Sequence, residues 1–260
     1  MTIPFSRDGY RRIIEAALLA GYSCRPVREC DEPSDGPSIL LRHDVDLSLD
    51  CAAELAELES SLGVRSTYFI LLYNDLYNPL APVGRELIER IASLGHEIGL
   101  HWDSSLHDAS SIETTFPREL EILSEVAGVR VTSASQHIPT DNELMDVSAF
   151  VEHECYASDI AQRYTYVSDS AMSWRAKTPL DLIAEGLDVQ FLAHPIWWTA
   201  PGSTLEAKVN AIGAASGAAF GARFEAFGAY ARHCLDNRAA LDRSYEQRRS
   251  HQGRSAAVGR

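Results

Sequence analysis

No stretch of the chain approaches the roughly 18 consecutive apolar residues that a membrane-spanning helix needs, so no helical span is expected. The opening segment MTIPFSRDGYRRIIEAALLAGY interrupts its apolar residues with Arg11, Arg12 and Glu15 and has no small-residue cleavage site, which argues against a secretory signal and for a cytoplasmic location. Positive charge is scarce as well. Lys and Arg number 23 against 37 Asp and Glu, a formal net charge of -14, which disfavours a broad basic surface for nucleic acid or anionic lipid. Cysteine is limited to Cys24, Cys30, Cys51, Cys155 and Cys234. They are odd in number and never form a CxxC pair, so neither a disulfide framework nor a thiolate zinc site is suggested, and they read as reduced, buried thiols. No repeat is long enough to imply a solenoid.

What the chain does contain is enough apolar residue, 45% of 260, to bury one sizeable core. Short β-branched or aromatic runs mark seven candidate strands: SILLRH from 38, STYFILL from 66, HEIGLH from 96, VRVTSAS from 129, ECYAS from 154, YTYVS from 164 and DVQFLAH from 188. Helical stripes lie between several of them, as with Cys51, Leu55, Leu58 and Leu62, or Leu87, Ile91 and Leu94. Gly21, Gly63, Gly95 and Gly128 follow the apparent helix ends. Helix, glycine and strand in alternation predict parallel strands covered by helices. Polar residues at several strand ends favour a distorted barrel of single-domain α/β type over an open sheet. The barrel with its N-terminal and C-terminal helices is expected over 1–241, with one or two helices from 203, and 242–260 is expected to be disordered.

The strand from Ser38 is apolar up to Leu41 and then delivers Arg42, His43, Asp44, Val45 and Asp46. Such charge at a strand end is costly unless the groups pair or hold an ion. Asp44 and Asp46, two apart, project to the same side of an extended chain, and a cation or an arginine would let both ionise. A structural use, with Asp46 or Ser48 capping a helix or Arg42 pairing an aspartate, competes with that reading. Three more strands end in histidine: GHEIGLHWD in His101, SASQHIP in His137 and FLAHPIWW in His194. His101, His137 and His194 with Asp44 and Asp46 then converge on one mouth. Nitrogen and carboxylate donors suit zinc, and five such residues suffice for three ligands, a base and an acid. His43, His107, His153, His233 and His251 read as structural or surface residues. Trp102, Trp174, Trp197 and Trp198 all fall near these segments, where they either pack the core or stack on a ring-shaped substrate.

From about residue 38 to 198 the sequence resembles the polysaccharide deacetylases, the fourth carbohydrate esterase family. LRHDVD stands where that family has TFDDG, and GHEIGLHWDSS matches its GHEIGNHTWSH phrase closely. The resemblance implies a distorted (β/α)7, TIM-like barrel and a divalent metal, most readily Zn2+. It implies Asp44 as catalytic base, His194 as general acid, and His101 as a metal ligand. The family's aspartate ligand falls on Val45, which moves that role to Asp46. Its second metal histidine falls on Ser105, for which His137 or the nearby His107 would substitute, His137 being favoured because SASQHIP replaces the third motif. Asp169 and Trp174 resemble the fourth motif and, with Trp197, are assigned to substrate binding and pocket lining.

The expected function is metal-dependent removal of an acetyl or formyl group from an amide nitrogen. The expected partner is a small-molecule or nucleotide- or lipid-linked N-acyl sugar. The alternatives are a catalytically inactive deacetylase-like binding protein and another metal-dependent C–N bond hydrolase; against one of the latter, the first strand lacks the HxH pair of amidohydrolases.

Overall fold

The computed structural model describes residues 3–107, 111–137 and 144–236; His251 and the expected tail over 242–260 lie outside them. The chain divides into two compact units, one reaching to Ile212 and one from Gly213 onward.

The first unit opens with α1 (Arg7–Leu19), capped by the Ser6 hydroxyl accepting from the Gly9 N–H, then β1 (Ser23–Arg25) and β2 (Ser38–Val45). Helices and strands then alternate: α2 (Leu49–Ser61), β3 (Thr67–Leu71), α3 (Pro82–Ser93), β4 (Glu97–Trp102), α4 (Ile112–Ala127), β5 (Ser133–Gln136), β6 (His153–Glu154), α5 (Ser158–Arg163), β7 (Thr165–Ser168), α6 (Pro179–Ala184), β8 (Val189–Ala193) and α7 (Pro195–Thr199). A last helix, α8 (Leu205–Asp236), follows. In the second unit it exposes Phe220, Phe224, Phe227 and Tyr230. The glycine punctuation holds: Gly128 closes α4 at φ 65°, a left-handed conformation that costs other residues more.

Every ladder in the sheet is parallel, in the order β6-β5-β4-β3-β2-β8-β7. Six of these strands fall on runs read from the sequence; the run expected from Glu154 shares only that residue with β6, and its end enters α5. β1 was not foreseen, since three residues show no alternation; it pairs with the first half of β2, from Ser23 opposite Ser38 to Arg25 opposite Leu40. β3 takes over that side from Arg42 to Val45. The sheet curls into a distorted barrel. Gln190 of β8 donates across the interior to the Cys155 carbonyl just after β6, at 2.9 Å, although no ladder joins β6 to β7 among the described residues.

Alternation along β2 sorts its side chains between two environments. Ile39 and Leu41 pack outward in one cluster with Tyr10, Phe191 and Trp198, and Val45 in another with Ala52, Tyr68 and Ile98. Leu40 faces inward against Phe69 and Cys155. The inside is tight at this level: a Cβ on Gly99 would lie 2.4 Å from Phe69 Cε1, so only glycine lets the ring sit there. His43 points outward to Glu59 of α2, at 2.9 Å. Glu59 also accepts from Ser66 Oγ at 2.6 Å, Tyr68 Oη at 2.8 Å and Tyr10 Oη.

Residues 26–32 cross the N-terminal mouth of the barrel. The Val27 N–H donates to Thr67 Oγ1 at 2.7 Å and the Arg28 N–H to Glu97 Oε2 at 2.9 Å, which are both groups at the starts of strands. The C-terminal mouth is where the chemistry-bearing residues gather.

Candidate metal centre

Parallel strands put all their C-terminal ends on one face, and there β2 delivers Asp44 and then Asp46, β4 delivers His101, and His137 and His194 follow β5 and β8 directly. Ser48, not Asp46, caps α2 by accepting from the Cys51 N–H at 3.2 Å, which leaves the Asp46 carboxylate to the mouth. Its backbone carbonyl is tied down by Asn74 Nδ2 at 2.8 Å, and the preceding Val45 carbonyl by Tyr77 Oη at 2.6 Å.

Three histidines surround that carboxylate. Asp46 Oδ1 is 3.2 Å from His101 Nε2 and 4.0 Å from His137 Nε2, and Asp46 Oδ2 is 3.7 Å from His194 Nε2. His101 Nδ1 lies 2.8 Å from the Ser135 carbonyl. A carbonyl can only accept, so Nδ1 carries the proton and Nε2 is turned to the carboxylates. The His137 backbone N–H donates to the Trp102 carbonyl at 2.8 Å, setting its ring edge-on to that of His101 at 5.0 Å.

Asp46 Oδ1 is buried with no hydrogen-bond partner, an arrangement that costs free energy unless something electropositive faces it. Ligand atoms of Asp46, His101 and His137 all lie within 4.8 Å of one another. One carboxylate and two imidazoles fit a divalent cation of the zinc class with a position left open. Electrostatics agree. Burial favours the neutral acid, but His101, then His194 and His137, outweigh it and hold Asp46 well below the usual carboxylate range. Burial likewise opposes charge on His101, yet Asp44 and Asp46 raise its pKa. His137 goes the other way, lowered by burial and by His101.

Two flanking groups complete the mouth. Asp44 faces Arg42, whose Nη2 lies 3.1 and 2.9 Å from its two oxygens and also donates to Ser135 Oγ. The guanidinium is fully buried and sits over the Phe69 and Tyr156 rings, 5.4 and 5.0 Å from their centroids. Asp44 Oδ2 lies 3.8 Å from His101 Nε2. On the other side Asp169, fully buried, accepts from His194 Nδ1 at 2.6 Å, from the His194 backbone N–H at 3.1 Å and from Trp198 Nε1 at 2.6 Å. Burial lowers the His194 pKa, but Asp169 first and then Asp46 and Asp44 outweigh it and push it up to about 9.

The structure thus brings Asp44, Asp46, His101, His137 and His194 to one mouth. Asp169 reaches it only through His194. Trp197 is buried with its ring 6.4 Å from that of His194. Trp174 stacks on Phe5 at 5.4 Å and lies 6.2 Å from Trp198, half-buried against the outer core. Of the two candidate replacements for Ser105, His107 turns away: its Nε2 is 2.9 Å from Glu119 of α4 and its ring meets Trp102 edge-on. Asp103, missed in the sequence although it follows His101 by two residues, has Oδ2 3.9 Å from His137 Nδ1. Period-two alternation, applied one step past the strand, would have found it.

Fold and side chains together define a parallel α/β barrel with an aspartate–histidine group that could hold a cation at the C-terminal ends of its strands. Among solved structures the chain is similar to a family 4 carbohydrate esterase from Bacillus anthracis, at 13% identity over 78% of this chain and 83% of that one, TM-score 0.42. A polysaccharide deacetylase, Bc1974, from Bacillus cereus gives 14% identity, 67% and 84% coverage and a TM-score of 0.42. BA3943, a pseudoenzyme of the same esterase family from Bacillus anthracis, gives 13%, 68% and 60%, and 0.44. No protein-family model and no curated protein matches the sequence.

Proposed function

We propose that the protein is a metal-dependent hydrolase that removes an acetyl or formyl group from the amide nitrogen of a sugar or another small N-acylated compound. One observation carries this reading: the Asp46 carboxylate gathered with His101 and His137, whose ligand atoms all lie within 4.8 Å of one another, flanked by Asp44 on one side and His194 on the other.

A divalent cation, Zn2+ by its donor set, would be held by Asp46, His101 and His137 and would polarise the acyl carbonyl and favour water as nucleophile near neutral pH. Asp44, oriented by Arg42, takes the proton of the attacking water. His194 donates through Nε2 to the departing nitrogen, which would otherwise leave as a very poor amine anion. Asp169 occupies Nδ1, so Nε2 is the atom left for that transfer, and the Asp169 carboxylate favours the protonated imidazole. Such proton transfers typically contribute about 10²- to 10⁴-fold.

The test joins metal analysis to a screen of N-acetyl and N-formyl substrates. The expected results are a divalent metal that His101→Ala removes from this centre, and release of acetate or formate that stops with it. A metal-bearing protein that turns over none of these compounds would favour a binding protein. A centre that holds no metal in the unsubstituted chain would overturn the proposal.

A further inference from the structure

Cys30 and His153 lie 123 residues apart in sequence, at the opposite end of the barrel from the centre above. Cys30 belongs to the crossing over 26–32, and His153 opens β6. The Cys30 Sγ is 3.3 Å from His153 Nδ1. The Cys30 carbonyl accepts from Arg163 Nη1 at 2.6 Å and from Tyr164 Oη at 2.9 Å, immediately before β7. Cys30 therefore stands between β6 and β7, strands that no ladder joins among the described residues, touching the first through its side chain and the residues just before the second through its backbone.

A third donor adjoins them. Ligand atoms of Cys30, Asp31 and His153 all lie within 4.8 Å of one another, with Cys30 buried, Asp31 exposed and His153 between. We propose that these three residues form a second cation site, which clamps the crossing to the free edge of the sheet. A sulfur, an imidazole nitrogen and a carboxylate oxygen make a mixed donor set suited to zinc or cobalt and poorly suited to calcium or magnesium, which favour oxygen alone. Exposure on the Asp31 side gives the ion an entry path and leaves room for water as a further ligand. A sulfhydryl–imidazole hydrogen bond alone is weak. No CxxC spacing announces the site, because its ligands come from a crossing and a distant strand.

Cobalt(II) titration of the full chain tests this, since a thiolate ligand gives a charge-transfer band in the near ultraviolet that oxygen and nitrogen ligands do not. The band is expected in the unsubstituted protein and in His101→Ala, whose other centre is disabled, and in Cys155→Ser. It is expected to vanish in Cys30→Ser. Absence of the band from the unsubstituted protein, or its survival in Cys30→Ser, would overturn the proposal. Should Cys30→Ser fail to fold, Asp31→Asn at an exposed position decides: cobalt affinity at the thiolate band should fall by roughly tenfold or more, and an unchanged affinity would likewise overturn it.

Discussion

At His194 the Nδ1 atom is committed to Asp169 at 2.6 Å, so only Nε2 can exchange a proton with a substrate. At His101 the Nδ1 atom is committed to the Ser135 carbonyl at 2.8 Å, and Nε2 faces Asp46. The same local device, one ring nitrogen tied down to aim the other, would in the proposed function prepare an acid in one place and a ligand in the other. The two roles separate experimentally. His194→Ala should retain metal yet lose about 10²- to 10⁴-fold in kcat/KM on an amide. On an activated ester, whose leaving group needs no proton, the loss should shrink to roughly tenfold or less by the same reasoning. An equal loss on both substrates would remove His194 from the acid role. Asp169→Asn should act in the same direction through the misplaced ring, again with metal retained.

At the level of single elements, α2 carries a burden its sequence does not announce. Within ELAELESS, Glu59 looks like any solvent-facing helix residue, yet it is fully buried among His43, Ser66, Tyr68 and Tyr10. Burial opposes its charge, but His43 above all, then His96 and Ser66, outweigh that and lower its pKa to about 2. Because the folded value lies below the unfolded one, the stabilisation is complete above about pH 4.5 and is lost as pH falls toward 2. Glu59→Gln, which turns a donor toward donors, should cost about 3–5 kcal/mol at neutral pH. It should also flatten the acid limb of stability between those pH values, as read by urea melts across the range. In β4, Gly99→Ala should cost roughly 1–3 kcal/mol by overpacking against Phe69. Restoration of stability by Phe69→Leu in the double variant would confirm that the ring is the obstacle.

For the molecule as a whole, what could be read from sequence follows from where information is local. Strand ends were legible because a β-run that stops at a histidine or aspartate carries its own period, and the parallel sheet then brought Asp44, Asp46, His101, His137 and His194 to one face. Asp103 was legible by the same period, two residues past His101, but Glu59 was not, since only packing says that it is inside. Nor was the crossing over 26–32, whose partners Thr67, Glu97 and His153 lie far along the chain. The centre itself is a whole-sheet property: its proposed ligands stand at the C-terminal ends of β2, β4 and β5, so a bound cation would tie together strands that otherwise separate on unfolding. A cation at a hundred times its Kd stabilises the folded state by about 2.7 kcal/mol. For a chain of this size that is a shift of roughly 5–10 °C in Tm. Chelation should therefore lower Tm by about that amount, with added zinc restoring it. A cation at the proposed Cys30 site would add its own share, so the comparison that isolates this centre is Cys30→Ser against Cys30→Ser with His101→Ala. The first should keep the chelator-dependent shift and the second should lose it, and a shift that survives in both would place the stabilising cation elsewhere.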